Sequence, residues 1–288
     1  MAAALSAQVR ETLLAAEALP AALAPCPRAL RVVFCTRGGL FGERVLQRLR
    51  ACEGIELCGI VRSKRIFDAR YGFVRGALEY LRRCGLSYSL YLLCATDIAD
   101  AFCALGQGRT APKQAAREPA VPVLATADLN AARGLAFLRA CAPDLLVSAF
   151  FDQRLREEAL AVPARGCVNI HPSLLPAFRG VDPVLQARIQ GASRIGVTVH
   201  YMTPELDRGN LIAQHAMSMP AKGSVFALTS ELFGRGAELL VDSLAKIGRG
   251  DPGQPQPPGG SYESWPTRSE VRALRAAGDT LIRLADFR

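Results

Sequence analysis

The run Leu30-Arg31-Val32-Val33-Phe34-Cys35 ends in Thr36-Arg37-Gly38-Gly39, and a helical pattern starts at once, with Phe41, Val45, Leu46 and Leu49 on one face. Ile55 to Val61 then reads as a second strand. Strand, glycine turn, helix and strand in that order predict a parallel βαβ unit, because parallel neighbours can be joined only by a crossover. The glycine turn could hold a phosphate at the helix N-terminus. It lacks GxGxxG spacing and a P-loop lysine, so a plain tight turn is the simpler reading.

Downstream, strands are expected at 121–124, 144–148, 167–170, 196–202 and 211–219. Helices are expected at 71–83, 90–105, 128–140, 152–160 and 184–190. A long amphipathic helix is expected from Ser224 to Gly248, with Leu228, Leu232, Leu239, Leu240 and Leu244 as its main apolar residues. Gly106 to Pro119 reads as a polar, basic loop, and Asp251 to Gly260 as a Pro/Gly linker. A tail helix is expected from Ser269 to Leu284, capped by Ser269.

Composition narrows the class. Half of the 288 residues are apolar, enough for a sizeable core. No uncharged apolar run reaches the roughly 18 residues that a membrane helix needs. The Ala-rich segment 1–27 carries Glu11 and Glu17, lacks a basic start and reads as a short amphipathic helix, not a secretory signal. Nine cysteines with no CxxC spacing fit free thiols in a reducing cytoplasm better than disulfides or zinc. Within the net charge of +9, residues 62–83 hold Arg62, Lys64, Arg65, Arg70, Arg75, Arg82 and Arg83 against Asp68 and Glu79. That patch would attract phosphates or a folate's acidic tail, or it is a solvated helix face.

The chemistry concentrates in two short motifs, Val168-Asn169-Ile170-His171-Pro172-Ser173-Leu174-Leu175-Pro176 and Glu205-Leu206-Asp207-Arg208-Gly209. His171 precedes proline, which favours extended backbone where the strand runs out. Asn169 and His171 are two apart and so share one side of that strand. Asp207 falls in the loop between two predicted strands. A carboxamide and a protonated imidazole can donate to a developing oxyanion, and a carboxylate can orient the imidazole and help remove a proton. No Ser or Cys is clearly placed as a nucleophile, which favours direct transfer to an amine over an acyl-enzyme. Taken alone, Asn-x-His on a strand also fits a structural role or a metal ligand, although His171, His200 and His215 lack a spacing such as HExxH.

Asn169-Ile170-His171-Pro172-Ser173-Leu174-Leu175-Pro176, Arg179-Gly180, Gly196-Val197-Thr198-Val199-His200 and Leu206-Asp207-Arg208-Gly209, in that order, resemble the 10-formyltetrahydrofolate-dependent formyltransferases. That family includes methionyl-tRNA, glycinamide ribonucleotide and sugar N-formyltransferases. The resemblance covers about residues 140–220. It implies an α/β fold with an open, mostly parallel Rossmann-like sheet and helices on both faces. The chain then divides into an N-terminal extension (1–28), a catalytic domain (29–250) with a basic insertion (63–120), and a linker with a C-terminal helix (251–288).

The resemblance also implies site roles. Asn169 and His171 contact the formyl oxygen and Asp207 assists proton movement. The pterin of 10-formyltetrahydrofolate lies against Phe151, Asp152, Gln153 and Leu155, matched by position, and against the turn Ser173, Leu174, Leu175 and Pro176. No metal is implied. Arg208 stands where the family usually has a small polar residue.

Two features bear on the acceptor. The tRNA-specific members carry a further barrel domain after a linker, and here 28 residues follow residue 260, so a tRNA acceptor is disfavoured. Arg179-Gly180-Val181-Asp182-Pro183 nevertheless looks more like the tRNA and sugar branches than the purine branch. The expected acceptor is a small-molecule amine, either an amino sugar nucleotide or an amino acid derivative, in a cytoplasmic enzyme with no membrane partner. A tRNA acceptor, a folate hydrolase and a non-catalytic folate-binding module are the alternatives.

Overall fold

The computed structural model describes residues 28–65, 72–98 and 121–287. The helix expected over 1–27 and the loop 106–119 lie outside them. The first unit forms as expected, with β1 (Leu30–Thr36), α1 (Gly39–Arg50) and β2 (Ile55–Ser63), and β1 and β2 pair in parallel. A seven-stranded sheet follows in the order β3-β2-β1-β4-β5-β7-β8, with β3 at Val123–Thr126, β4 at Leu145–Ala149, β5 at Cys167–His171, β7 at Arg194–Tyr201 and β8 at Leu211–Ser218. The five strands from β3 to β5 run parallel, and β7 and β8 are antiparallel additions on the β5 side. Chain order reverses between β1 and β4, so a crevice is expected beyond their carboxyl ends.

Side-chain alternation explains the two layers. Val32 and Phe34 of β1 enter one apolar cluster, with Phe41 and Val45 of α1 and Leu232 and Leu240 of α7 (Val225–Gly248), which follows α6 (Pro183–Ile189) in the chain. Val33 and Cys35 enter a second cluster on the other face, with Leu135 and Leu138 of α4 (Ala132–Cys141) and Leu155. Each strand residue buries opposite to its neighbour, so one sheet carries two cores. The seven cysteines among the described residues are free. Burial pushes the Cys167 thiol up to about 12, so it is no nucleophile at neutral pH.

Several elements differ from expectation. Helix is found at α2 (Phe73–Cys84) and α3 (Leu86–Leu93), with a π-helical turn at Cys94–Ile98, because Gly85 at φ 81° breaks the chain between two short helices. The tail helix is α8 (Arg268–Ala276), not 269–284, and Thr267 with Glu270 forms its capping box where Ser269 was expected to cap. Gly278 at φ 88° lies just beyond its end. Only Glu157–Leu160 (α5) of the segment 152–160 is helical. A two-stranded pair, β6 (Arg179–Gly180) with β9 (Tyr262–Glu263), is too short for any sequence period to reveal. The glycine turn after β1 packs against the π-helical turn: a Cβ at Gly39 would lie 2.1 Å from the Ala95 carbonyl oxygen.

Candidate active site

Strand β5 presents Asn169 and His171 to one side, and its antiparallel partner β7 sets His200 directly opposite Asn169. The hydrogen bonds fix what each ring offers. His200 Nδ1 donates to the Tyr201 carbonyl at 2.8 Å, so Nε2 is the lone-pair nitrogen and accepts from Asn169 Nδ2 at 3.2 Å. Burial holds His200 down at about 4, against the opposing pull of Asp207 and with a smaller push from His171. His200 is therefore a neutral acceptor at ordinary pH that orients the Asn169 carboxamide, leaving its second N–H free.

His171 Nε2 donates to the Phe178 carbonyl at 2.9 Å. Its Nδ1 lies 3.7 Å from Asp207 Oδ1, and His200 Nε2 lies at the same distance from that oxygen. The His171 separation is one small shift from hydrogen-bond reach, whereas the His200 lone pair and the carboxylate are both acceptors and do not bond. The donor that His171 can offer to an oxyanion is thus Nδ1 in the protonated ring.

Asp207 sits at φ 54°, a left-handed conformation for a residue with a Cβ, so surrounding bonds must hold it. Its Oδ2 accepts from the Gly180 amide at 2.8 Å. Its own carbonyl accepts from Gln256 Nε2 at 2.8 Å, and the same nitrogen reaches the Gly209 carbonyl at 2.9 Å. Two glycines are required here. A Cβ at Gly209 would lie 1.8 Å from the Tyr201 carbonyl oxygen, and one at Gly180, whose φ is 98°, would lie 2.1 Å from that of Glu263.

Two cavities meet at Asn169 and Asp207. The larger, about 300 Å³, is at the lower end of the usual ligand range. The smaller, about 50 Å³, lies beside the loop after β4 and is walled by Phe151, Leu155, Met202 and Leu206. Of the residues expected to contact the donor, Phe151 and Gln153 line both cavities, Asp152 the larger and Leu155 the smaller. Gln153's amide is already committed, accepting from the Leu129 amide at 2.7 Å and donating to Ser63 and the Thr126 carbonyl at 2.8 Å. Any ligand bond from Gln153 must come from its backbone.

Ser173, Leu174, Leu175 and Pro176 line neither cavity. They stitch the first motif to the antiparallel strands instead. Thr198 donates to the Ser173 carbonyl at 2.7 Å, and Gln214 to the Leu175 carbonyl at 2.8 Å. Within this turn it is Pro172 that reaches the larger cavity.

Several lining groups lie beyond the residues given a site role from the sequence. Arg37 pairs with Asp152 at 3.3 Å, and Arg65 donates to the Asp152 carbonyl at 3.1 Å. Arg65 Nε and Asp152 Oδ1 are buried with no partner. From the basic stretch 62–83, Arg65 faces the cavity, whereas Arg82 and Arg83 pair with Glu79 on the surface; Arg70 lies outside the described residues. Asp182 accepts from the Tyr88 hydroxyl at 3.0 Å on the wall of the larger cavity, and burial pushes its carboxyl up to about 6. Tyr262 and Trp265 complete that wall from the C-terminal segment. The basic stretch singles out Arg65 and the Arg179–Pro183 motif Asp182, whereas nothing in the sequence points to Tyr88, Tyr262 or Trp265.

Among the described residues no His/Cys/Asp/Glu group has a metal-holding arrangement, and no helix is long and apolar enough to cross a membrane. An oriented amide donor, an imidazole and a carboxylate at the junction of two cavities can stabilise an oxyanion and move a proton between two ligands.

Residues 107–244 match the family model described as formyl transferase. The chain is 41% identical over 149 residues to the methionyl-tRNA formyltransferase of Roseiflexus sp. (strain RS-1), covering 50% of this chain and 46% of that protein. It thus spans about half the length of the curated relatives it matches. A sugar N-formyltransferase from a Shewanella species shares the fold at TM-score 0.54 and 16% identity, over 86% of this chain and 87% of that one. Phosphoribosylglycinamide formyltransferase from Anaplasma phagocytophilum does so at TM-score 0.52 and 21% identity, over 82% and 98%. The Asn169, His171 and Asp207 motifs lie inside the matched region, so this part of the chain is similar to the formyl transferase family, and it sits on a mostly parallel seven-stranded sheet.

Proposed function

We propose that the protein transfers a formyl group from 10-formyltetrahydrofolate to the amine of a small acceptor, with Asn169, His171 and Asp207 as its catalytic residues. The observation that carries this reading is their convergence where the two cavities join, with His171 Nδ1 3.7 Å from Asp207 Oδ1. The acceptor nitrogen attacks the formyl carbon, forming a C–N bond and placing negative charge on the formyl oxygen. Asn169's free N–H and protonated His171 Nδ1 stabilise that charge. Asp207 takes the proton lost by the acceptor nitrogen and returns it to N10 of the folate as the old C–N bond breaks.

The lining suits a pterin-type donor. The orphaned Asp152 Oδ1 is an acceptor for the N–H groups of an aminopyrimidinone, and the orphaned Arg65 Nε is a donor for an acidic tail. On the acceptor side, Asp182 supplies a carboxylate for an incoming ammonium beside the rings of Tyr88, Tyr91 and Trp265. An amino sugar nucleotide or an amino acid derivative meets these demands. A tRNA acceptor is the second reading, supported by the 41% identity to a methionyl-tRNA formyltransferase.

Purified protein is expected to release tetrahydrofolate from 10-formyltetrahydrofolate only with an amine present, and a mass-detected screen should find one acceptor gaining one formyl group. Release without acceptor would mark a hydrolase, binding without turnover a non-catalytic module, and formylation of charged initiator tRNA the second reading. His171→Ala and Asp207→Ala are each expected to lower turnover about 10²- to 10⁴-fold while still folding. Near-normal rates in either variant contradict the assigned roles.

A further inference from the structure

Residues 254–263 lie outside the family-matched region 107–244, yet they fasten the groups that hold His171 and Asp207. Gln254 and Leu211 exchange two backbone hydrogen bonds at 2.7 and 2.8 Å, which lays this strap beside the Asp207 turn. Gln256 then uses its whole amide. Its Nε2 donates to the carbonyls of Asp207 and Gly209, and its Oε1 accepts from Arg179 Nη2 at 3.0 Å and Nε at 3.3 Å. Arg179 is buried and also donates to the Gly259 carbonyl at 3.2 Å.

Further along, Ser261 Oγ accepts from the amide of Phe178, whose carbonyl holds His171. The Arg179 amide donates to the Ser261 carbonyl and the Val181 amide to that of Glu263, which brackets the Gly180 amide that holds Asp207 Oδ2. The His171 and Asp207 side chains are thus secured by groups the strap clamps. Asp207 needs this most, because its left-handed backbone would otherwise relax.

We propose that the strap is the positioning element of the active site, and that Gln256 is a positioning residue that holds the Asp207 carboxylate towards His171 through its two Nε2 hydrogen bonds. The catalytic part of this inference rests on the function proposed above; the positioning part does not.

Two substitutions separate positioning from packing. Gln256→Glu keeps the acceptor for Arg179 but loses both donations, and Gln256→Met loses everything while keeping the volume. Amide exchange by NMR reads the consequence without any substrate. The Gly180 amide is expected to exchange at least about tenfold faster in both variants, approaching its rate in Asp207→Ala. In Gln256→Glu the Arg179 and Val181 amides are expected to stay protected, because the strap remains in place. With the acceptor in hand, kcat is expected to fall at least about tenfold in both variants, with KM for donor and acceptor within about twofold of wild type.

Unchanged Gly180 exchange in both variants overturns the proposal, whether or not the protein transfers formyl groups. Loss of protection at all three amides in Gln256→Glu also overturns it, since the strap then acts by packing alone. So does a Gln256→Glu variant with wild-type kcat. A wild type that turns over no acceptor refutes the proposed function and leaves the exchange result to decide the positioning.

Discussion

Replacing Asp182 with asparagine is expected to stabilise the protein relative to wild type as pH rises. Burial lifts this carboxyl from 3.8 to about 6, and the Tyr88 hydroxyl offsets only part of the cost. A carboxyl whose folded value lies above its unfolded one favours folding most when it is protonated. That contribution is fully present below about pH 3.8 and is lost as pH passes through about 6. A shift of two units at about 1.4 kcal/mol each puts the whole effect on the order of 3 kcal/mol, of which roughly 2 accrues between pH 4.5 and 7.5.

Asparagine cannot ionise but still offers Tyr88 an acceptor, so it escapes the penalty. Urea unfolding of wild type and variant at pH 4.5, 5.5, 6.5 and 7.5 gives the difference directly, and titrations common to both proteins cancel. The variant should gain roughly 2 kcal/mol on wild type across that range. A difference that stays flat, or moves the other way, refutes the reasoning. In the proposed function Asp182 meets the acceptor's ammonium, so the same variant should raise KM for an amine acceptor.

Gly209→Ala is expected to cost about 1–3 kcal/mol and most turnover, because its Cβ would fall 1.8 Å from the Tyr201 carbonyl oxygen; a thermal melt within a degree of wild type would show that the turn can give. His200 behaves oppositely to Asp182. Burial lowers it to about 4, so its contribution is present above about pH 6.5 and is lost as pH falls towards 4. Wild type should therefore lose stability relative to His200→Gln between pH 7 and 5, and a constant gap would show that the ring is not held neutral.

The site motifs and most of the sheet were legible in the sequence because they rest on local rules. The near-continuous apolar run of β1 marks a strand buried on both faces, and apolar spacing marks α1 and α7. His171 before Pro172 marks a strand end, and two-residue spacing puts Asn169 on the same side. Helix ends were less legible where capping chemistry outweighed periodicity, as at Thr267.

By itself, then, the sequence determined the βαβ frame and the alternation of strands and helices, because each depends on neighbours within a few positions, and two separated motifs marked Asn169, His171 and Asp207 as candidates through their resemblance to a family. The tertiary structure alone decided which nitrogen of His171 faces Asp207, that His200 aims Asn169, that the 173–176 turn supports the sheet without lining a cavity, and that the Pro/Gly segment is a strap over the site. Most of those facts depend on hydrogen bonds between residues far apart in the chain, such as Gly180 with Asp207, 27 positions apart, and Phe178 with Ser261, 83 positions apart. Such partners leave no period or spacing in the chain, and they are chosen only when the sheet and the strap close around them.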